Sequence, residues 1–404
     1  MNTHAVGEKI ARLRKQSGLT QKELAAKLSV SDKAVSKWEN GMGYPEITLL
    51  PALSEIFGVS VDYLLKADSE GIAVAGSIIV DILNIIDKYP EKNMLANVLK
   101  ISHAVGGCVS NTGIDLARID PDLCVSAIGK VGNDENGRFV LSQMRKYGVN
   151  TEGVKIIEDA PTSTTNVMSE KTGGARTFFC CGGANSVFDV DDVDVDSLTC
   201  KIFHIGYILL LDALDAEDSE YGTRMARLLD KLSKKGIKTS IDVVSEDGER
   251  FREKILPALR QVDYVIMNEI ECCRVTGLSP RNEDGTVNIA NIEKTMREFI
   301  KLGVREKVII HCPEAGFCLD KSGDFVVVPS LSLPEGYIKG TVGAGDAYAA
   351  ACLYGLYKDW DTVRILEFAS AASACNLSAE DSVSGMRPAS EIDKLCEEYP
   401  RRVL

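Results

Sequence analysis

The sequence predicts an α/β body, a mostly parallel sheet with helices on both faces and a small β-sheet lid. A small all-α module precedes it. Three observations carry this. Beyond residue 71, apolar β-rich runs alternate with helical stretches, the pattern of a covered parallel sheet. Within residues 1–67 the apolar periods are helical and short. The charge divides at the same place: residues 1–67 hold nine Lys/Arg against seven Asp/Glu, while the whole chain is at −13. A small basic head therefore precedes a large acidic body, and two jobs are expected of them.

The length of 404 residues suits two or three domains, expected here as 1–67 and 71–404, joined by the short linker at 67–70. At 45% hydrophobic and 26% charged, the composition is that of a globular protein. No uninterrupted apolar run approaches the ~18 residues of a membrane span. The first sixteen residues lack the apolar core of a secretion signal, so a cytoplasmic location is expected. The twelve cysteines are scattered, with no C-x-x-C, and histidines number only four. Reduced thiols are expected, with neither a disulfide frame nor a zinc site. Cys312, Cys352 and Cys375 read as core filler.

In the head, "GEKIARLRKQSG" puts Ile10, Ala11 and Leu13 on one stripe and stops at Gly18. "TQKELAAKLSV" opens on Thr20 with Glu23 three residues later, a capping-box pattern, and turns Leu24, Ala25 and Leu28 inward. "SDKAVSKWENG" repeats the device from Ser31, burying Ala34, Val35 and Trp38. Two further short helices follow, in 45–60 and 61–66. The three-residue turn at 29–31 matches helix-turn-helix geometry.

In the body, "GIAVAGSIIVDIL" reads as a buried strand ending near Asp81. "KIFHIGYILLL", "KTSIDVV", "VDYVIMN" and "KVIIHC" read as further strands. "YGTRMARLLDKLSKKG" and "IEKTMREFIKLG" read as helices. Residues 92–105 and 162–180 alternate polar and apolar and are expected to form a small antiparallel lid sheet.

"GTVGAGDAYAAACLYGL" carries the chemistry. Gly343, Ala344 and Gly345 expose successive amides, and the following helix aims its positive end at the same spot, which suits phosphate oxygens. Asp346 would face that anion, where a carboxylate can take a proton from a substrate hydroxyl. Alone, the tetrapeptide G-A-G-D is also an ordinary helix entry. It is accompanied by "AVGGCVSNTGIDLARI", a second glycine pair before a helix with Asn111 one turn in, and by "NEIE" at a strand end.

The head, over about residues 6–66, resembles the Cro/repressor-like helix-turn-helix family. That implies double-stranded DNA as partner, with Asp32, Lys33, Ser36 and Lys37 facing the major groove and Gln21 near a phosphate. The weak positive charge implies two copies on a two-fold operator, hence a homodimer. The bland alternative is a helical bundle that docks a protein.

The body, over 71 to about 395, resembles the ribokinase/pfkB family of carbohydrate kinases. The resemblance rests on Gly106-Gly107 with Asn111, on Thr341 to Asp346, on Asn268 with Glu271, and on the lid strand in "GARTFFCCGGAN". It implies ATP-dependent phosphorylation of a sugar hydroxyl. Asp346 becomes the catalytic base, and Gly343, Ala344 and Gly345 the anion hole. Asp81, Gly106, Gly107 and Asn111 would hold the sugar, with Arg176 contacting it from the lid. Asn268 and Glu271 would position hydrated Mg²⁺, held through water, near the ATP phosphates, with Thr341 and Gly316 beside the nucleotide. Asp81 also reads as a strand-end turn residue, and Arg176 as a solvated charge.

Two departures stand out. Gly340 occupies the place of an aspartate that helps bind a monovalent cation in some members, which puts that activation in doubt. The family's T-x-G-x-x-G reads His311 to Gly316, with His and Pro replacing Thr and Gly; His311 itself reads as a strand-end histidine. The readings left open are a DNA-binding sugar kinase, a regulator whose kinase-like body only senses its ligand, and a head that docks without an operator.

Overall fold

The structure, a computed structural model, describes residues 3–59, 61, 64, 70–171, 176–244 and 250–404. In the head, helices span Thr3–Gln16, Gln21–Lys27, Asp32–Glu39 and Leu50–Phe57. The capping box is present. Glu23 N–H donates to Thr20 Oγ1 at 3.2 Å, and Thr20 N–H donates to Glu23 Oε2 at 2.7 Å. Ser31 Oγ accepts from Ala34 N–H at 3.2 Å. Ile10, Leu13, Leu24, Leu28, Val35, Trp38 and Leu53 close one core. Ala11 and Ala34 are only half-buried, because they flank the packed stripe. The helix expected at 61–66 and the linker at 67–70 fall largely outside the described residues.

The body is built on a nine-stranded sheet. From edge to edge its strands are Phe325–Pro329, Ala315–Asp320, Lys307–His311, Tyr264–Asn268, Lys238–Val243, Cys200–Ile208, Gly71–Gly76, Val125–Gly132 and Asn150–Ile157. Neighbours are parallel except where Ala315–Asp320 meets the strand on either side. Two apolar layers cover it. One centres on the Cys108–Ile119, Ala344–Tyr357 and Thr362–Leu377 helices, the other on Arg224–Lys234 and Ile289–Leu302.

The first apolar run is two strands, not one. Gly76 sits at φ +110°, and a Cβ there would lie 2.0 Å from Gly206 O, so only glycine lets the chain turn out of the main sheet. Asn185 fastens that turn, its Oδ1 accepting from Ile78 N–H and its Nδ2 donating to Ile78 O, both at 3.1 Å. Asp81, expected just past a strand, is therefore the third residue of a second strand, Ile79–Ile86, in the lid.

The lid is a separate sheet ordered Val98–Gly106, Ile79–Ile86, Thr164–Glu170, Arg176–Cys181. It is mixed rather than antiparallel, because Ile79–Ile86 pairs parallel with Thr164–Glu170. Between those two strands the chain passes back through the body, and a parallel pair needs such a crossover. Residues 92–97 precede the lid strand rather than belong to it.

The Cys108–Ile119 helix is buried on nearly all sides. Asp115 on it is fully buried, and neither carboxylate oxygen finds a hydrogen-bond partner. Burial raises its pKa well above the usual carboxylate range, and the charge of Asp346 adds to this. A group whose folded-state pKa is raised is ionised first in the unfolded chain. Its contribution to stability therefore falls as pH rises above the unfolded value. Asp115→Asn cannot ionise. Urea unfolding should find the two proteins similar near pH 4, with Asp115→Asn increasingly the more stable toward pH 8. A gap that does not change with pH would contradict this account of Asp115.

Candidate functional site

Two helices begin at one place. Cys108–Ile119 starts after Gly107 at φ +80°, and Ala344–Tyr357 after Gly343 at φ +77°; neither has a side-chain cap. A Cβ at Gly107 would lie 2.5 Å from Ser77 O, and one at Gly343 2.6 Å from Ser382 O. Glycine therefore permits both the turn and the close approach. Helix geometry leaves the first-turn amides of each helix without intrahelical acceptors, so two positive ends converge.

Asp346 stands in the first turn of the second helix and is only 7% exposed. Asn111 Nδ2 donates to its Oδ2 at 2.9 Å, and the Tyr207 hydroxyl donates to its Oδ1 at 2.6 Å. Burial raises its proton affinity, and the hydrogen bonds from Tyr207 and Asn111 oppose that. Asn111 Oδ1 in turn accepts from Ser382 Oγ at 2.9 Å. Asn111, assigned from sequence to the sugar, is thus engaged at both ends of its amide and holds Asp346 in place.

Asp81 reaches the same pocket from the lid. A Cβ at Gly106 would lie 2.5 Å from its Oδ2, so the glycine makes room for this carboxylate. Burial lifts the Asp81 pKa to about 6; the Thr165 hydroxyl opposes the rise and the charge of Asp346 adds to it. Thr165 faces Cys180 across the lid strands, at 4.0 Å between Oγ1 and Sγ. Arg176 opens the outer lid strand, but its side chain lies outside the described residues.

On the other side of the convergence, Thr341 is exposed and its carbonyl accepts from Ala344 N–H at a long 3.4 Å. A Cβ at Gly345 would meet His311 Cε1 at 3.5 Å. The His311 ring lies tilted against Tyr348 with 4.8 Å between centroids, and burial depresses its pKa to about 4, which keeps it neutral. Packing alone already requires glycine at Gly316: a Cβ there would sit 2.0 Å from the Tyr348 hydroxyl.

Asn268 and Glu271 form a capping box. Asn268 Oδ1 accepts from Glu271 N–H at 2.9 Å, and Glu271 Oε2 accepts from Asn268 N–H at 3.1 Å. Glu271 is buried, and its charge helps burial push the Asp242 pKa well up, with Asp346 adding. Among the described residues no three such side chains group closely enough to ligate a metal directly. The crowding of Asp242, Glu271 and Asp346 is nevertheless a charge distribution that a hydrated dication would relieve.

The sequence reading missed Tyr207, Ser382 and Asp242. It also missed Arg281, which bridges Glu269 Oε1 at 2.5 Å and Glu314 Oε1 at 2.7 Å and so ties the 312–315 turn to a helix start. None of these carries a local motif.

In the head, Asp32, Lys33 and Lys37 are exposed along one helix, and Ser36 is half-buried. Gln21, expected at a phosphate, instead donates from Nε2 to Glu39 Oε2 at 2.8 Å, within the Arg14–Glu39 ion pair.

A family model described as pfkB family carbohydrate kinase matches residues 69–388, and one described as helix-turn-helix matches residues 10–64. The 5-dehydro-2-deoxygluconokinase of Clostridium perfringens is 27% identical over 313 residues, 74% of this chain and 87% of that one. Its counterpart in Geobacillus kaustophilus is 23% identical over 304 residues, 73% and 85% of the two chains. The structure of Arabidopsis thaliana ribokinase complexed with ribose and ATP superposes with a TM-score of 0.67 at 20% identity, covering 81% of this chain and 99% of that one. Among the described residues no helix is long and apolar enough to cross a membrane. The chain belongs to the pfkB family of carbohydrate kinases and carries a helix-turn-helix segment ahead of its kinase body.

Proposed function

We propose that the body transfers the γ-phosphoryl group of ATP to a hydroxyl of a sugar or sugar acid, and that the head binds double-stranded DNA. The observation that carries the first part is Asp346: a buried carboxylate at the convergence of two helix starts without side-chain caps, supported on both oxygens and close enough to Asp81 for the two to interact. Asp346 accepts the proton of the attacking hydroxyl. The amides of residues 343–345 and the positive helix end stabilise charge on the transferred group. Asp81, mounted on the lid, accepts hydrogen bonds from other sugar hydroxyls. Asn268 and Glu271 would hold Mg²⁺ through its waters, and the ion would neutralise phosphate charge. Two of the similar proteins described above are named 5-dehydro-2-deoxygluconokinase, which makes 5-dehydro-2-deoxygluconate the first acceptor to try. The third helix of the head offers Lys33 and Lys37 to DNA, in two copies on a two-fold site.

A coupled ADP-release assay over a panel of sugars and sugar acids tests the kinase. One acceptor class should release ADP, and Asp346→Asn should lower kcat by about 10²–10⁴-fold. Ligand-induced thermal stabilisation without ADP from any acceptor would make the body a sensor instead. For the head, the salt dependence of binding to a fluorescent random-sequence duplex is the test. Lys33→Glu with Lys37→Glu should weaken binding and flatten the slope of log Kd against log salt by about one per lysine. No association of the wild-type chain at low salt would leave the head a docking module.

A further inference from the structure

Tyr207 lies at the carboxyl end of the Cys200–Ile208 strand, in a run whose sequence announces nothing but a strand. Its hydroxyl donates to Asp346 Oδ1 at 2.6 Å, within the range of charge-assisted O–H···O⁻ bonds. Asn111, from the Cys108–Ile119 helix, donates to the other oxygen at 2.9 Å. We propose that Tyr207 is a positioning residue for phosphoryl transfer: with Asn111 it fixes the rotation of the Asp346 carboxylate and keeps it ionised, leaving the remaining acceptor directions to the substrate hydroxyl.

A carboxylate offers about four lone-pair directions. One donor on each oxygen is enough to stop rotation about Cβ–Cγ and still leave an acceptor direction on each. The two donors come from different elements, a strand of the main sheet and a helix start, so the base is referenced to the body and not to the lid. Asp81, by contrast, is carried by a separate sheet. The surroundings would otherwise neutralise the base. Burial disfavours its charge, and the Asp346 charge in turn adds to the raised pKa of Asp81, Asp115, Asp242 and Cys108 around it. Tyr207 itself stays protonated, since burial and the nearby Asp346 charge push its pKa well up, so it remains a donor throughout.

The inference rests on the kinase reading for its kinetic part only. Tyr207→Phe removes one oxygen and keeps the ring. Loss of a donor to the ionised form raises the pKa of Asp346, so the acid limb of kcat should move to higher pH by about one unit. The value of kcat should fall about 10–100-fold, with the sugar KM within about threefold. A merely structural tyrosine would lower stability without moving that limb. The same shift should appear without turnover in the ¹³C carboxyl titration of Asp346 in the full-length chain, identified by its loss in Asp346→Asn. An unmoved titration in Tyr207→Phe overturns the proposal. A moved titration in a chain that phosphorylates no acceptor upholds the positioning contact while the kinase reading fails.

Discussion

The site depends on one buried carboxylate having enough donors. Asp346 occupies a place where burial favours its neutral form. Tyr207, Asn111 and two converging helix ends favour the charged one. Much of the local architecture serves this balance. Gly107 and Gly343 let the helices start within contact of Ser77 and Ser382, Ser382 holds the far end of the Asn111 amide, and Gly106 makes room for Asp81. A β-carbon at any of the three glycines would move a charge or its partner.

The lid follows from the same economy. The chain leaves the main sheet at Gly76, carries Asp81 on Ile79–Ile86 and returns to the body through the Val98–Gly106 strand and its glycine pair. One hairpin, Ile79–Ile86 with Val98–Gly106, therefore carries Asp81 on its first strand and leads from its second into the start of the Cys108–Ile119 helix. Under the proposed reading, a lid displacement changes the position of Asp81 and leaves that of Asp346 unchanged, because the latter is fixed from the sheet and two helices.

Legibility varied with how local the cause was. The capping of the head helices by Thr20 and Ser31 could be read directly, because N-caps act over three residues. The glycine pair and the G-A-G-D turn were legible because close backbone approach restricts the residue type. The N-x-x-E pair was visible but ambiguous: the spacing read for Mg²⁺ is also that of a capping box, which the structure shows Asn268 and Glu271 to form. The break at Gly76 was hidden inside an apolar run, since hydrophobicity does not report a positive φ. Strand direction in the lid was likewise invisible to alternation, which is the same for either pairing. The bond from Gln21 to Glu39 was not legible because its partner is eighteen residues away on another helix. Tyr207 and Asp115 escaped because their importance comes from partners, present or missing, far along the chain.

The most direct test of the central claim is the pH dependence of kcat for the wild-type chain at saturating acceptor and ATP, which reports on the bound complex. If the donors hold Asp346 ionised, kcat should be level across the neutral range and fall on an acid limb lying above that of an ordinary aspartate. A kcat that keeps rising about tenfold per pH unit through neutrality would mean that burial has won and that Asp346 is not a ready base.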